Sequence, residues 1–319
     1  MTGIPAIADR RAWMARRSAM ETRDEKHTPL GPRRRKWNLF KFGLRPFGLM
    51  LKACRLHGYG ARRARDLRLV QVEMRLSTLP QAFDGYRILH LTDLHLDGMP
   101  GLADAIADLI GDCACDLMAL TGDYRWRVHG PFEQVLAPLA TVLGATTPAD
   151  GRVATLGNHD PAAMAEPLER LGLRLLANET VAVERGGERV HITGLDDVHY
   201  YYTEDAATAL TAAPAGCKIA LVHSPEAAEL AAAAGYALYL CGHTHGGQVC
   251  LPGGMPILTN SRYGRRFAKG IWKCGDMRGY TSNGAGTSGL PVRFFSHGEV
   301  TLITLRSGGV RASAGVTPR

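Results

Sequence analysis

The 319-residue sequence holds no apolar run near the ~20 residues that a membrane-spanning helix requires, because charges or proline interrupt each one first. No secretory leader is expected either, since the basic first residues lead into no apolar stretch and no small-residue cleavage site. The twin arginines of "DRRAW" and "ARRSAM" lack the hydrophobic segment that would make them an export signal. The expected location is therefore cytoplasmic, or peripheral on the inner membrane face. Cysteine is sparse and irregular: seven residues, an odd number, with no CxxC spacing. That pattern argues against a disulfide framework and fits a reducing compartment.

What is present is unevenly distributed. Residues 1–68 contain 18 Lys and Arg against 5 Asp and Glu, a local +13, while the other 251 residues contain 20 against 25, or −5. We divide the chain into a basic, partly disordered arm over 1–66 and a globular domain over 67–319. Within the arm, residues 1–36 show no apolar period and read as mostly disordered. Residues 37–60 interleave Trp37, Phe47, Leu49 and Met50 with Lys41, Arg45, Lys52 and Arg55. Such a segment suits either a membrane interface or the domain's own surface. A basic arm can bind an anionic membrane surface; nucleic acid is less favoured, because the rest of the chain is acidic. No protein partner is expected.

From residue 67 a single pattern recurs: a short β-rich apolar run, a polar or glycine-containing turn, then a helical segment. It predicts an α/β domain with much parallel sheet, in which ligands sit at the carboxyl ends of strands. Strands are expected over 67–76, 86–95, 116–123, 153–160, 218–225 and 237–245, with a closing hairpin of "VRFFS" and "EVTLITLR" around His297 and Gly298. Five of these runs end in residues able to hold a metal: Asp93 with His95, Asp123, Asn158 with His159, His223, and His243 with His245. Carboxylate, imidazole and amide without thiolate favour Mn, Fe or Zn over a structural cysteine site, and this many candidate ligands exceed what one ion needs and suit two divalent ions.

The ordered blocks D-x-H (93–95), G-D (122–123), G-N-H-D (157–160), a lone His223 and G-H-T-H (242–245) resemble the calcineurin-like metallophosphoesterases. "HLTDLHLDG", "GHTHGGQ" and the C-terminal "GAGTSGLPVRFFSHGEVTLITL" are most similar to the small bacterial branch typified by YaeI and YkuE, whose relatives include LpxG-type hydrolases of UDP-diacylglucosamine. The resemblance implies a four-layer α/β/β/α sandwich of mixed sheets with the metal site at strand ends. It implies that Asp93, His95 and His245 hold one ion, that Asn158, His223 and His243 hold the other, and that Asp123 bridges them. A metal-bridging hydroxide would then attack a phosphomonoester, phosphodiester or pyrophosphate, on a lipid-linked substrate such as UDP-diacylglucosamine. His159 would stabilise the transition state or protonate the leaving group, with Asp160 orienting its imidazole. Arg125, Arg127 and His199 are candidate substrate contacts, with Tyr263, Arg265 and Arg266 weaker ones. Two alternatives stand beside this reading: a nucleotide or nucleic-acid phosphodiesterase, and a non-catalytic, metal-stabilised scaffold that binds membrane or RNA.

Overall fold

In the computed structural model, which describes residues 2–3, 10–23, 25–34, 37–261, 263 and 265–308, the chain opens with a short strand, β1 (Thr2–Gly3), and a helix, α1 (Arg10–Glu21). A hairpin of β2 (Glu25–Thr28) and β3 (Gly31–Arg34) follows, then helices α2 (Trp37–Ala53) and α3 (His57–Ala64). The first β-rich series comprises β4 (Leu67–Leu76), β5 (Arg87–Leu91), α4 (Leu102–Ile110), β6 (Leu117–Thr121), α5 (Leu136–Gly144), β7 (Arg152–Thr155), α6 (Ala165–Arg170) and β8 (Arg174–Leu175). The second runs through β9 (Glu179–Arg185), β10 (Glu188–Gly194), α7 (Glu204–Ala212), β11 (Cys217–Leu221), α8 (Ala228–Ala233), β12 (Leu238–Cys241), β13 (Gly270–Cys274) and β14 (Met277–Thr281), and β15 (Gly298–Ser307) is the last strand among the described residues.

These strands build two large mixed sheets, one of six strands ordered β4-β15-β5-β6-β7-β8 and one of seven ordered β1-β9-β10-β11-β12-β14-β13. Val72, Met74, Ile88, Leu117 and Val153 of one meet Val181, Val183, Ile192, Ile219 and Leu240 of the other in a shared core. The outer faces are covered by helices. Leu102, Ile106 and Ile110 of α4 pack with Leu139 and Val142 of α5 on one side. Ala206, Ala209 and Leu210 of α7 pack with Ala228 and Ala231 of α8 on the other. The result is the expected four-layer α/β/β/α sandwich. Its central strands are covered on both faces, which is why "LMALT" and "LYLC" read as unbroken apolar runs.

Two expectations need correction. The closing hairpin does not form: β15 pairs in parallel with β4 and antiparallel with β5, while Phe294 makes only an isolated bridge to Val249. A left-handed φ of 50° at Phe295 stops "VRFFS" from extending. Residues 10–21 are not a disordered leader, because α1 buries Trp13 and Arg17 against the domain. The segment 37–60 forms two helices, and α2 continues through Pro46. Among the described residues, no helix is long and apolar enough to cross a membrane.

Candidate metal centre

Every candidate ligand lies just beyond the carboxyl end of a strand: Asp93 and His95 after β5, Asp123 after β6, Asn158 after β7, His223 after β11, His243 and His245 after β12. The chain turns sharply there. Asp93, His95, Asp123, His243 and His245 all have left-handed φ values, between 43° and 70°. Non-glycine residues avoid that region, and such strain concentrates at functional sites. Gly242 serves the same crowding, since a Cβ at this position would lie 2.1 Å from Asp93 Oδ2.

The donor atoms converge. Asp93, His95 and His245 form one compact group, His95, Asp123 and His159 a second, and Asp93, Asp123 and His223 a third. His95 Nε2 lies 3.2 Å from His245 Nε2 and 3.6 Å from Asp123 Oδ2. His223 Nε2 lies 3.4 Å from Asp123 Oδ2, 3.1 Å from Asn158 Oδ1 and 3.2 Å from His243 Nδ1. The far ring nitrogens settle what these contacts mean. His95 Nδ1 is 2.7 Å from the Arg125 carbonyl and His223 Nδ1 is 2.8 Å from the Thr121 carbonyl. A carbonyl only accepts, so both Nδ1 atoms carry the hydrogen and both Nε2 atoms face the centre. His243 Nε2, 3.2 Å from the Asn260 carbonyl, likewise leaves Nδ1 facing inward.

Donor atoms of imidazole, amide and carboxylate thus converge on a spot that calls for positive charge: although burial opposes it, Asp123, Asp93 and Asp197 together raise the His223 imidazole well above its usual range, and buried Asp93 Oδ1 accepts no hydrogen bond. A cation resolves both features, and imidazoles oriented by backbone carbonyls are what metal ligation requires. The charges agree. Burial would raise the Asp123 carboxyl, but His159, His223 and His95 outweigh it and hold it well below the usual range. Burial pushes His159 down to about 4, against the pull of Asp123.

Residues 86–247 match the family model for calcineurin-like phosphoesterases. The chain belongs to that family. It is a metal-dependent phosphoester hydrolase of the YaeI/YkuE-type bacterial branch. It is 29% identical over 266 residues to the metallophosphoesterase YkuE of Bacillus subtilis, covering 78% of this chain and 90% of YkuE. YkoQ of the same organism is 32% identical over 225 residues, 67% of this chain and 82% of YkoQ. Phosphodiesterase YaeI of Escherichia coli is 29% identical over 235 residues, 69% of this chain and 82% of YaeI.

Around the metallophosphoesterase centre, several side chains stand elsewhere than the sequence suggested. Asp160 does not reach the His159 imidazole. Its carboxylate accepts from the backbone N–H groups of Asp123 (2.6 Å), Tyr124 (3.0 Å) and Gly157 (2.9 Å), and so ties two ligand loops together. The Trp126 carbonyl, 2.6 Å from His159 Nδ1, orients that ring instead. Arg125 directs its guanidinium at the carbonyls of His159, Val128 and Gly130, which makes it a brace for the loop rather than a substrate contact. Arg127 is exposed, and neither it nor Tyr263, Arg265 or Arg266 lines the cleft. His199 packs against His243 with the rings tilted by 44° and their centroids 4.0 Å apart, and its Nδ1 donates to buried Glu226 at 3.0 Å.

Other supports lie outside every motif. Arg17 of α1 donates to the carbonyls of Gly157 and Asp160, and its Nε reaches both oxygens of Asp196 at 3.1 Å. Buried Arg293 donates to the carbonyls of His245, Asn283, Gly284 and Gly286, joining the last ligand loop to the C-terminal segment. Beside the metal residues opens a cleft of about 610 Å³. Its lining joins Asp123, Asn158, His159, His243 and His245 with apolar residues: Leu44 and Phe47 of α2, Val249, Ile257, Leu258, Leu290 and Val292.

Proposed function

We propose that this phosphoesterase hydrolyses phosphoester or pyrophosphate bonds at a two-ion centre, in a substrate that also carries an apolar portion. The carrying observation is the cleft, in which the convergent ligands and an apolar wall share one cavity. Asp93, His95 and His245 are assigned to one ion and Asn158, His223 and His243 to the other, with Asp123 between them. When bound, the ions supply Lewis acidity toward phosphoryl oxygens and lower the pKa of the attacking water; Mn, Fe or Zn suits the N/O donor set. His159 is left to act on the substrate. Trp126 holds it through Nδ1, so Nε2, 3.8 Å from Asp123 Oδ2, faces the reacting group. An anionic phosphate beside Nε2 favours the imidazolium, which can donate to the leaving oxygen.

The apolar wall supports a lipid-linked substrate such as UDP-diacylglucosamine over a free nucleotide. Leu49 and Met50 of α2, Leu251, Met255, Ile257 and Leu258 of the neighbouring loop, and Phe295 are exposed on the segments that form this wall. Arg45, Lys52 and Arg55 lie on or just after α2. That combination suits peripheral contact with an anionic membrane. The test compares a soluble aryl phosphodiester with a diacyl phosphoester held in anionic vesicles, using metal-loaded protein. Asp123→Asn is expected to lose both activities. Leu44→Asp combined with Leu258→Asp is expected to lose only the second. Equal loss on both substrates would sink the apolar reading.

A further inference from the structure

The N-terminal hairpin of β2 and β3 lies outside the matched family region, yet it reaches the catalytic cleft. It is sewn to the loop after β10: His27 N–H donates to the Tyr200 carbonyl at 2.8 Å, and Tyr202 N–H donates to the His27 carbonyl at 2.9 Å. This seam carries Lys26 to the cleft, with its ammonium 4.1 Å from the Tyr200 ring centroid and 2.9 Å from His199 Nε2. Because His199 Nδ1 donates to Glu226, its Nε2 is the acceptor, and Lys26 donates to a neutral imidazole.

The placement is specific in charge. Among the described residues lining the cleft, Lys26 is the only Lys or Arg and Asp123 the only carboxylate. Glu226 balances the cation from the far side of the imidazole, and of the two it is Lys26 that lines the cavity. His199 in turn lies against the His243 ring. Lys26 therefore stands one ring, that of His199, away from the candidate ligand His243, on the lining of the same cleft. A half-buried ammonium in that position fits a phosphoryl group attached next to the reacting one, to which a charge-assisted hydrogen bond forms.

We propose that Lys26 binds a second, non-reacting phosphoryl group of the substrate and so makes the enzyme selective for diphosphate-linked compounds. This rests on the phosphoesterase reading above. The experiment uses the metal-loaded full chain as wild type, Lys26→Met and Lys26→Arg. Kinetics are measured on an aryl phosphodiester, with one phosphate, and on an aryl diphosphate diester, with two. Calorimetry measures binding of inorganic phosphate and of pyrophosphate.

Lys26→Met is expected to raise KM for the diphosphate about tenfold with kcat within about twofold, and to leave the monophosphate diester unchanged. Pyrophosphate affinity falls by a similar factor while phosphate affinity does not, and Lys26→Arg keeps most of the preference. Equal losses on both substrates and both anions, or no loss on either, overturn the proposal. Melting curves of the variants separate a folding defect, since Lys26→Arg preserves the charge whatever the hairpin's stability. If the wild type turns over neither substrate, the hydrolase reading fails, and the two anion titrations still decide the role of Lys26.

Discussion

His159 is the one imidazole of the centre whose proposed work is on the substrate. Its backbone N–H donates to Asp123 Oδ1 at 2.9 Å, so the residue is fixed at both ends by contacts that do not involve an ion. His159→Ala is accordingly expected to lower kcat by about 10²- to 10⁴-fold while the metal content stays at the wild-type level. Elemental analysis beside steady-state kinetics checks this, and loss of metal in that variant would move His159 into the ligand set. At this scale the sequence was informative where chemistry repeats in order, as in Asp93-x-His95 or Gly242-His243-Thr244-His245. It was silent on Lys26, Glu226, Arg17 and Arg293. Each is a common surface residue type, and its partners become neighbours only through the fold. Asp160 shows the same limit: its place after His159 suggested the imidazole as partner, but three backbone N–H groups claim its carboxylate.

Strands that are buried on both faces announce themselves as apolar runs, so β5, β6, β7, β11 and β12 were readable together with the ligands at their ends. β13 and β14 were not, because "GIWKC" and "MRGYT" mix charge and glycine with their apolar residues and form the edge of the seven-stranded sheet. The closing hairpin was misread because β15 finds its partners in β4 and β5, more than 200 residues earlier in the chain. β5 also carries a titration consequence. His90 is fully buried, with Nε2 2.8 Å from the Thr121 hydroxyl, and burial pushes it down to about 4. Its ordinary value is 6.5, so as pH falls through that range the unfolded chain takes up a proton that the folded chain refuses. His90 thus weakens the fold progressively from pH 6.5 down to 4, by on the order of 3 kcal/mol, and has no such effect above it. Chemical denaturation should show His90→Leu closing the gap to wild type, or surpassing it, at pH 4.5 relative to pH 7. An unchanged difference between the two pH values would contradict the burial argument.

Across the whole molecule, the split between a basic arm and an acidic remainder takes on a different meaning. α1 lies against the domain with Arg10 paired to Glu169 and Glu179, Arg16 to Asp205, and Arg17 to Asp196. Part of the charge asymmetry is thus satisfied within the chain, where composition alone pointed to an external anionic partner. Arg17 is the critical pair: it is buried, and it braces the carbonyls of Gly157 and Asp160 while holding Asp196. Arg17→Met leaves the Asp196 carboxylate buried without that cation, and is expected to cost about 3–5 kcal/mol of stability with a matching fall in Tm. A calorimetric melt indistinguishable from wild type would show that the arm merely rests on the surface.

The link from Arg17 to Asp196 joins residues 179 positions apart. During synthesis α1 leaves the ribosome before the domain it packs on, and the partner of Arg17 appears only after β4 to β10 have been made. Until then Arg17, the clamp on the loop that carries Asn158 and His159, lacks the carboxylate that neutralises it. The last catalytic loop, with His243 and His245, emerges later still. The order of translation therefore delays the finished centre until most of the chain is available, so a nascent chain stalled before residue 196 should contain folded sheet but no competent hydrolase.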